Sequence, residues 1–285
     1  MKSACLSDLP VILPPGRVLA HRGPEGSGGY LLRKPWLAAA LLAWVLLFAA
    51  AEAYAAPGRP SIVATLLKWT PLIAKGFVFN ILISVIAMVM GTVLGLFIGI
   101  AQISEVRPVR HSASLVTQFF RNAPWLVLLF YCMLLLPFQI RVGDLVIPLP
   151  DWLKAIFGLS VAVAANMSEI ARGAIQSIPT AQWESSEALG FQRFQTLWMI
   201  ILPQCVKRML PPWMNLYAIL LVSTPLCSIV GVNEVVTLTA DALAAEDRHD
   251  LLVPMYGYIL GWFFVFCYPI GRWTVLLERR FAVNA

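Results

Sequence analysis

The chain of 285 residues is 59% hydrophobic and only 13% charged, with a formal net charge of +6. Ordinary soluble domains carry roughly a quarter charged residues, so a single aqueous core cannot hide this apolar surface and lipid must serve as its solvent. No basic stripe with interleaved aromatics occurs, so the positive excess reads as membrane topology and no nucleic-acid partner is expected.

In chain order, residues 1–34 hold Pro10, Pro14, Pro15, Pro24 and a Gly-rich stretch from Gly23 to Gly29, which reads as a flexible cytoplasmic tail. Residues 35–56 are an extra transmembrane helix or a signal-like segment. Arg33-Lys34 before an apolar run ending Ala53-Tyr54-Ala55-Ala56 has the parts of a secretory signal, whereas the long lead ahead of it favours a retained span. Residues 57–285 form the main transmembrane domain. Residues 60–75 suit the outer interface, with Lys68, Trp69 and Lys75 at headgroup depth.

A span needs roughly 20 mostly apolar residues, and beyond 35–56 the candidates are 77–103, 122–140, 153–172, 209–232 and 251–271. Gly91, Gly95 and Gly99 recur every four residues in the first of these, which lines them along one helix face for close packing of a neighbouring backbone. The second opens on Phe119-Phe-Arg121-Asn-Ala-Pro124, a Pro-marked helix start with a snorkelling Arg. Residues 138–152 form an outer loop. The 153–172 segment is short of apolar length between Lys154 and Glu169, and the 209–232 segment carries Pro211-Pro212, expected to break the helix and open its geometry.

Basic residues mark the cytoplasmic side. With the N-terminus inside, the outer segments hold only Arg59, Lys68, Lys75, Arg141, Lys154 and Arg248, and the rest of the 21 Lys and Arg fall inside. The polar stretch 173–208 is then cytoplasmic. Pro179 followed by Thr180 to Leu189 predicts a short helix, about 15 Å long, with Gly190 suited to a left-handed exit. Glu184 offers a charged contact, Ser185 and Ser186 a close-approach face, and Leu189 and Phe191 apolar anchors. Phe191, Phe194, Trp198 and Ile201 fall on one helical stripe that is expected to seat this elbow on the membrane helices.

The chemistry of other classes is missing. There is no phosphate-cradling Gly-x-x-x-x-Gly-Lys-Ser/Thr loop and no His-Glu-x-x-His. The acidic residues within the spans are Glu52 and Glu169, both near an interface, and Glu169 at i is placed to pair with Arg172 at i+3. His21, His111 and His249 lie in loops. Cys5, Cys132, Cys205, Cys227 and Cys267 lack ligand spacing and read as small hydrophobes. No catalytic residue, metal site or cofactor is expected.

The motif Glu184-Ser-Ser-Glu-Ala-Leu-Gly190, followed after nine residues by Ile200-Ile-Leu202-Pro203, resembles the cytoplasmic signature loop of ATP-binding-cassette importer permeases: Glu-Ala-Ala, three residues, Gly, nine residues, Ile-x-Leu-Pro. Ser185-Ser186 stand where two alanines are usual. The preceding Ile175-Gln-Ser-Ile-Pro179, the Phe119 to Val127 segment and Ser228-Ile-Val-Gly231-Val are similar to the histidine/glutamine/arginine-type branch of polar amino-acid importers, and the resemblance covers about 76–280.

That resemblance implies an all-α polytopic bundle with a permease core of five helices plus one extra N-terminal helix, in the bacterial inner membrane. It implies a non-catalytic subunit that carries a polar amino acid or a related zwitterion, opine- or ectoine-like. The implied partners are two ATPase subunits at the coupling loop, an extracytoplasmic solute-binding protein, and a second permease, itself or a sister. The possible substrate path is Asn166, where the branch commonly has Tyr, with Val222 and Ser223, where it has a Lys and an acid, and Thr224. An ion-coupled secondary carrier of small polar solutes is the alternative; the scarcity of intramembrane charge weighs against it. A membrane anchor without transport would leave the Gly190-to-Pro203 spacing unexplained.

Overall fold

The computed structural model describes residues 60–142 and 145–281, together with Trp44. The expected tail 1–34 and the segment 35–56 lie outside these residues, Trp44 excepted. Everything below concerns the unit Ala50–Ala285.

The helices in order are α1 (Ile62–Gln102), α2 (Arg107–Asn122), α3 (Trp125–Leu135), α4 (Asp151–Gln176), α5 (Thr180–Ala188), α6 (Arg193–Gln195), α7 (Leu202–Ser223), α8 (Leu226–Ile229), α9 (Val235–Glu246) and α10 (Leu252–Phe281). A π-helical turn, Thr196–Ile201, joins α6 to α7. Between α3 and α4 the chain forms an antiparallel hairpin of β1 (Gln139–Val142) and β2 (Leu145–Pro148), pairing Ile140 with Ile147 and Arg141 with Val146. The outer loop expected at 138–152 thus contains ordered strands. Among the described residues four helical stretches are long and apolar enough to cross a bilayer, and five if the bent pair α2–α3 counts as one span.

α4 is the central element, and its neighbours include α1, α2, α3 and α7. Its weak hydropathy has a physical reason. It faces protein more than lipid, so Ala155, Gly158, Ser160, Ala162, Ala165 and Ser168 serve close packing where longer side chains would face a bilayer. The glycine stripe of α1 lies against it. A Cβ at Gly91 would sit 2.8 Å from the Ser160 carbonyl oxygen, one at Gly95 2.7 Å from that of Ala164, and one at Gly99 2.7 Å from that of Ser168. Those distances leave no room for a side chain. Below the stripe Gln102 donates to Thr117 (3.0 Å) and Ser168 (3.3 Å), and those two hydroxyls are 2.9 Å apart, which pins α2 to both helices through buried polar groups.

α1 is longer than the 77–103 span the composition suggests. It starts at Ile62, where the Ser61 hydroxyl accepts from the Ala64 N–H (3.1 Å), and it runs through Pro71. At 41 residues it measures about 61 Å, twice the roughly 30 Å hydrocarbon core. Residues 62–75 are therefore the first turns of α1, continuous with the expected span. They are held by α9, which runs antiparallel beside them. Lys68 (2.6 Å) and the Trp69 indole (2.8 Å) donate to Glu246 at one end, and Gly76 packs on Val235 at the other. The Lys68 hydrogen bond, then that of Trp69, holds the Glu246 carboxyl below the usual range.

Two other expectations give way. Residues 122–140 hold no straight span: α3 is 11 residues, about 16 Å, and meets α2 at 106°. Pro124 is the cause, because it forces Ala123 out of the helical region to φ −75°, ψ 134°. Pro211-Pro212, in contrast, do not break α7, which continues to Ser223. Met209, Pro211 and Leu216 are buried and the Trp213 indole donates to Thr92 (2.9 Å), so packing holds the helix across the lost N–H groups. The break comes later, at Thr224-Pro225.

Because the α1–α4 contact is backbone-close, Gly95→Leu should overpack it by about 1–3 kcal/mol or more, whereas Ile98→Leu conserves volume and should cost under about 1.5 kcal/mol. Thermal unfolding of both variants in the same detergent checks this; equal midpoints would mean that the stripe does not set the helix separation.

Candidate functional site

The elbow is built from local signals. Pro179 is extended (φ −56°, ψ 139°) and starts α5, and Gly190 ends it at φ 82°. The Gly190 N–H bonds the Glu187 carbonyl (2.9 Å) and the Phe191 N–H bonds that of Ser186 (3.1 Å), the paired closure that favours Gly at the left-handed position. Ser186 is buried beneath the helix and donates to the Trp183 carbonyl (2.8 Å), and Ser185 donates to that of Ala181 (2.6 Å). Glu184, Ser185 and Leu189 face outward, with Leu189 77% exposed. Phe191 is half-buried.

Polar straps tie this elbow to its surroundings. Gln204 donates to Gln182 (2.7 Å) and Arg208 to the Ser177 carbonyl (2.6 Å), both from α7. Arg193 pairs with Glu105 at 2.6 Å and lies 5.6 Å from the Trp183 ring centre. Ile200 and Leu202 pack partly buried against the core, and Pro203 is exposed in the first turn of α7.

The expected seating stripe is shifted. Phe194 and Trp198 are 70% and 49% exposed and lie against each other, 5.9 Å between ring centres. Ile201 is buried, as the stripe expects, and Leu197 is buried in place of Phe194 and Trp198. The π-helical turn over 196–201 adds residues to one turn and rotates the face that an α-helical period predicts.

A second polar centre includes one expected site residue, Thr224, together with two that were not expected, Asn80 and Glu234. Asn80 in α1 donates to Glu234 (2.8 Å) and Thr224 (3.0 Å), and its carbonyl oxygen accepts from the Val235 N–H (3.2 Å). The other Glu234 oxygen accepts from the Val236 (2.9 Å) and Thr237 (3.2 Å) N–H groups, so this carboxylate caps α9. All three side chains are fully buried. Glu234 lies just beyond the expected 209–232 span, yet it is a buried acid. Its signals were an isolated Asn in an apolar run and a carboxylate just before the Val235-Val236 helix start.

The four possible path residues are not gathered by hydrogen bonds. Asn166 is half-buried and donates to the Ala162 carbonyl of its own helix (2.9 Å), and Ser223 donates to that of Ile219 (2.8 Å). Val222 is exposed, whereas Thr224 belongs to the buried Asn80 centre. Glu169 accepts from Arg172, as the i, i+3 spacing suggests, with Arg121 at 3.9 Å. Among the described residues no group of His, Cys, Asp and Glu could hold a metal ion.

The comparisons with known proteins accord with this architecture. In Bacillus subtilis (strain 168), the "Probable amino-acid ABC transporter permease protein YckA" is 36% identical over 212 residues, 74% of this chain and 90% of that protein. The "L-cystine transport system permease protein TcyB" of the same organism is 30% identical over 211 residues, 74% of this chain and 86% of that protein. Among solved structures, "Crystal structure of an amino acid ABC transporter with histidines" aligns with a TM-score of 0.66 at 22% identity, covering 78% of this chain and 99% of that one. The inward-facing MetNI methionine ABC transporter aligns with a TM-score of 0.59 at 16% identity, covering 75% and 98%. These two likenesses bear on the fold. The family described as "Binding-protein-dependent transport system inner membrane component" matches residues 91–283, a range that takes in the elbow, α4 and α7 together, and the chain belongs to that family.

Proposed function

We propose that the chain is the permease subunit of an ATP-driven importer that carries a polar amino acid or a related zwitterion across the bacterial inner membrane. The observation that carries this reading is the elbow: a short helix with outward-facing Glu184, Ser185 and Leu189, closed by Gly190 and strapped to α7. An exposed but rigidly held helix suits a mechanical contact. Two ATPase subunits dock on the elbows of a permease pair, formed with a second copy or a sister chain, and their closure turns the path from inward- to outward-facing. A soluble binding protein delivers the solute to the outer face. The names of YckA and TcyB, an amino-acid and an L-cystine permease, support the solute class. An ion-coupled carrier needs a carboxylate free to exchange its ion, but Glu234 is committed to Asn80 and two backbone N–H groups.

Transport in proteoliposomes holding the copurified subunits tests the coupling. Uptake should require ATP. Glu184→Lys reverses a contact charge, and Gly190→Val puts a β-branched residue at φ 82°, where left-handed backbone costs roughly 1–2 kcal/mol. Each should abolish uptake while leaving the chain in the membrane. ATP-independent uptake, or normal uptake by both variants, would sink the reading.

For the solute, Val222 and Ser223 give this half of the path little formal charge, so a net-neutral zwitterion is favoured. Uptake of neutral amino acids should exceed that of cationic and of anionic ones in the wild type. Val222→Lys with Ser223→Asp should move the preference toward charged solutes. A wild-type homodimer that prefers a charged solute, with no change in the double variant, would remove position 222 from selection.

A further inference from the structure

α2 is amphipathic in a way that its role in joining α1 to α3 does not require. Arg107, Arg110, His111, Ser114 and Gln118 recur at helical spacing along one face, and Val109, Val116 and Phe120 along the other. The polar face closes a cavity of about 590 Å³ with Gln102 at the end of α1 and Arg172 and Gln176 at the end of α4. The opposite face closes an apolar groove of about 320 Å³ with Leu94, Ile98, Phe157 and Val161 from the same two helices. Between them lies the buried Gln102–Thr117–Ser168 contact. The surroundings thus pass from apolar to cationic across one helix, a diameter of about 10 Å. That profile belongs to the headgroup layer of a bilayer.

The charge in the cavity is poorly compensated. Among the described residues no Asp or Glu lines it. Arg110 donates to the Ser104 carbonyl oxygen (3.3 Å), which carries no formal charge, and among the described residues neither Arg107 nor Arg110 has an ion pair. Arg172 donates to Glu169, but Arg121 approaches the same carboxylate, so two guanidiniums share one acid. The ordinary cytoplasmic enrichment of basic residues accounts for arginines at this end of the helices. It does not account for three of them converging on one cavity with an imidazole, a hydroxyl and several amides. Guanidiniums and neutral donors around a shared space form a receptor for phosphate oxygens.

We propose that this cavity binds the phosphate of an anionic inner-leaflet phospholipid, with α2 lying at the interface and the phosphate bridging Arg107 and Arg110 to Arg172. Basic pockets between membrane helices on the cytoplasmic side are suited to such headgroups. The depth set by the neighbouring apolar groove favours a lipid phosphate over a soluble one. The bridge would hold the α1–α2 turn on the end of α4, whatever solute the protein carries.

The test uses the full-length chain in nanodiscs of phosphatidylcholine alone or with phosphatidylglycerol, reading the thermal midpoint and the lipid retained in native mass spectra. Phosphatidylglycerol should raise the wild-type midpoint and remain bound. Arg107→Gln with Arg110→Gln should weaken retention about tenfold and remove the rise, while Arg107→Lys with Arg110→Lys keeps most of it. Arg279→Gln with Arg280→Gln, an equal loss of charge at the end of α10, should leave the rise intact. Inorganic phosphate should give no rise in phosphatidylcholine nanodiscs. Loss of the rise in both Gln pairs alike, or its survival in the cavity pair, would overturn the site; an equal rise with inorganic phosphate would overturn the lipid as its source.

Discussion

The separation between α1 and α4 governs this fold, and it is set where carbonyl oxygens of α4 face Gly91, Gly95 and Gly99 with no room for a Cβ. In lipid the hydrophobic effect does not drive one apolar helix onto another, so association depends on close van der Waals packing and buried polar contacts. Both are present here. The glycine face brings the backbones together over two turns, and the Gln102–Thr117–Ser168 contact adds a polar lock directly beyond it. With α4 enclosed in this way, its modest hydropathy carries no penalty.

The end of the unit away from the elbow is organised by α9, which has little apolar length of its own and is fixed at both ends to α1. At one end Glu234 accepts from Asn80 and from the first N–H groups of α9, so a carboxylate sits at a helix N-terminus with its oxygens satisfied. Removing Asn80 would leave a buried Glu234 oxygen without its hydrogen-bond partner, which costs more than the bond itself contributes. At the other end Glu246 is held by Lys68 and Trp69. The charged pair is solvent-accessible on its Lys68 side and contributes little alone; the deeper Asn80 centre fixes the register.

Much of the candidate site was legible because its signals are local. Pro179 and Gly190 mark the start and stop of α5, and Gly91, Gly95 and Gly99 mark a packing face, without reference to distant residues. What escaped depends on partners far along the chain. Residues 62–75 carry no mark that they continue α1, since their support comes from Glu246 and Val235. Asn80 and Glu234 are far apart in sequence and acquire meaning only when the break after α7 brings them together. Of the proline expectations, the helix start at Pro124 holds and the break at Pro211-Pro212 does not. Pro211-Pro212 are held in line by packing around Trp213, while Pro124 has an extended residue before it and turns the chain through the bend that ends α2.

The same contacts define a stiff line through the molecule. Gln204 and Arg208, in the first two turns of α7, hold the elbow through Gln182 and Ser177. α7 runs without interruption from Leu202 to Ser223, about 33 Å. The next residue, Thr224, accepts a hydrogen bond from Asn80. A helix held by polar groups at both ends moves as a rod more readily than it bends, and in its middle Pro211 is buried and the Trp213 indole is bonded to Thr92. A displacement of the elbow therefore has its shortest rigid route to the far side along α7, and it arrives at the one buried acid centre that joins α1, α7 and α9 among the described residues. Under the transport reading, the elbow and the Asn80 centre are the two ends of one lever.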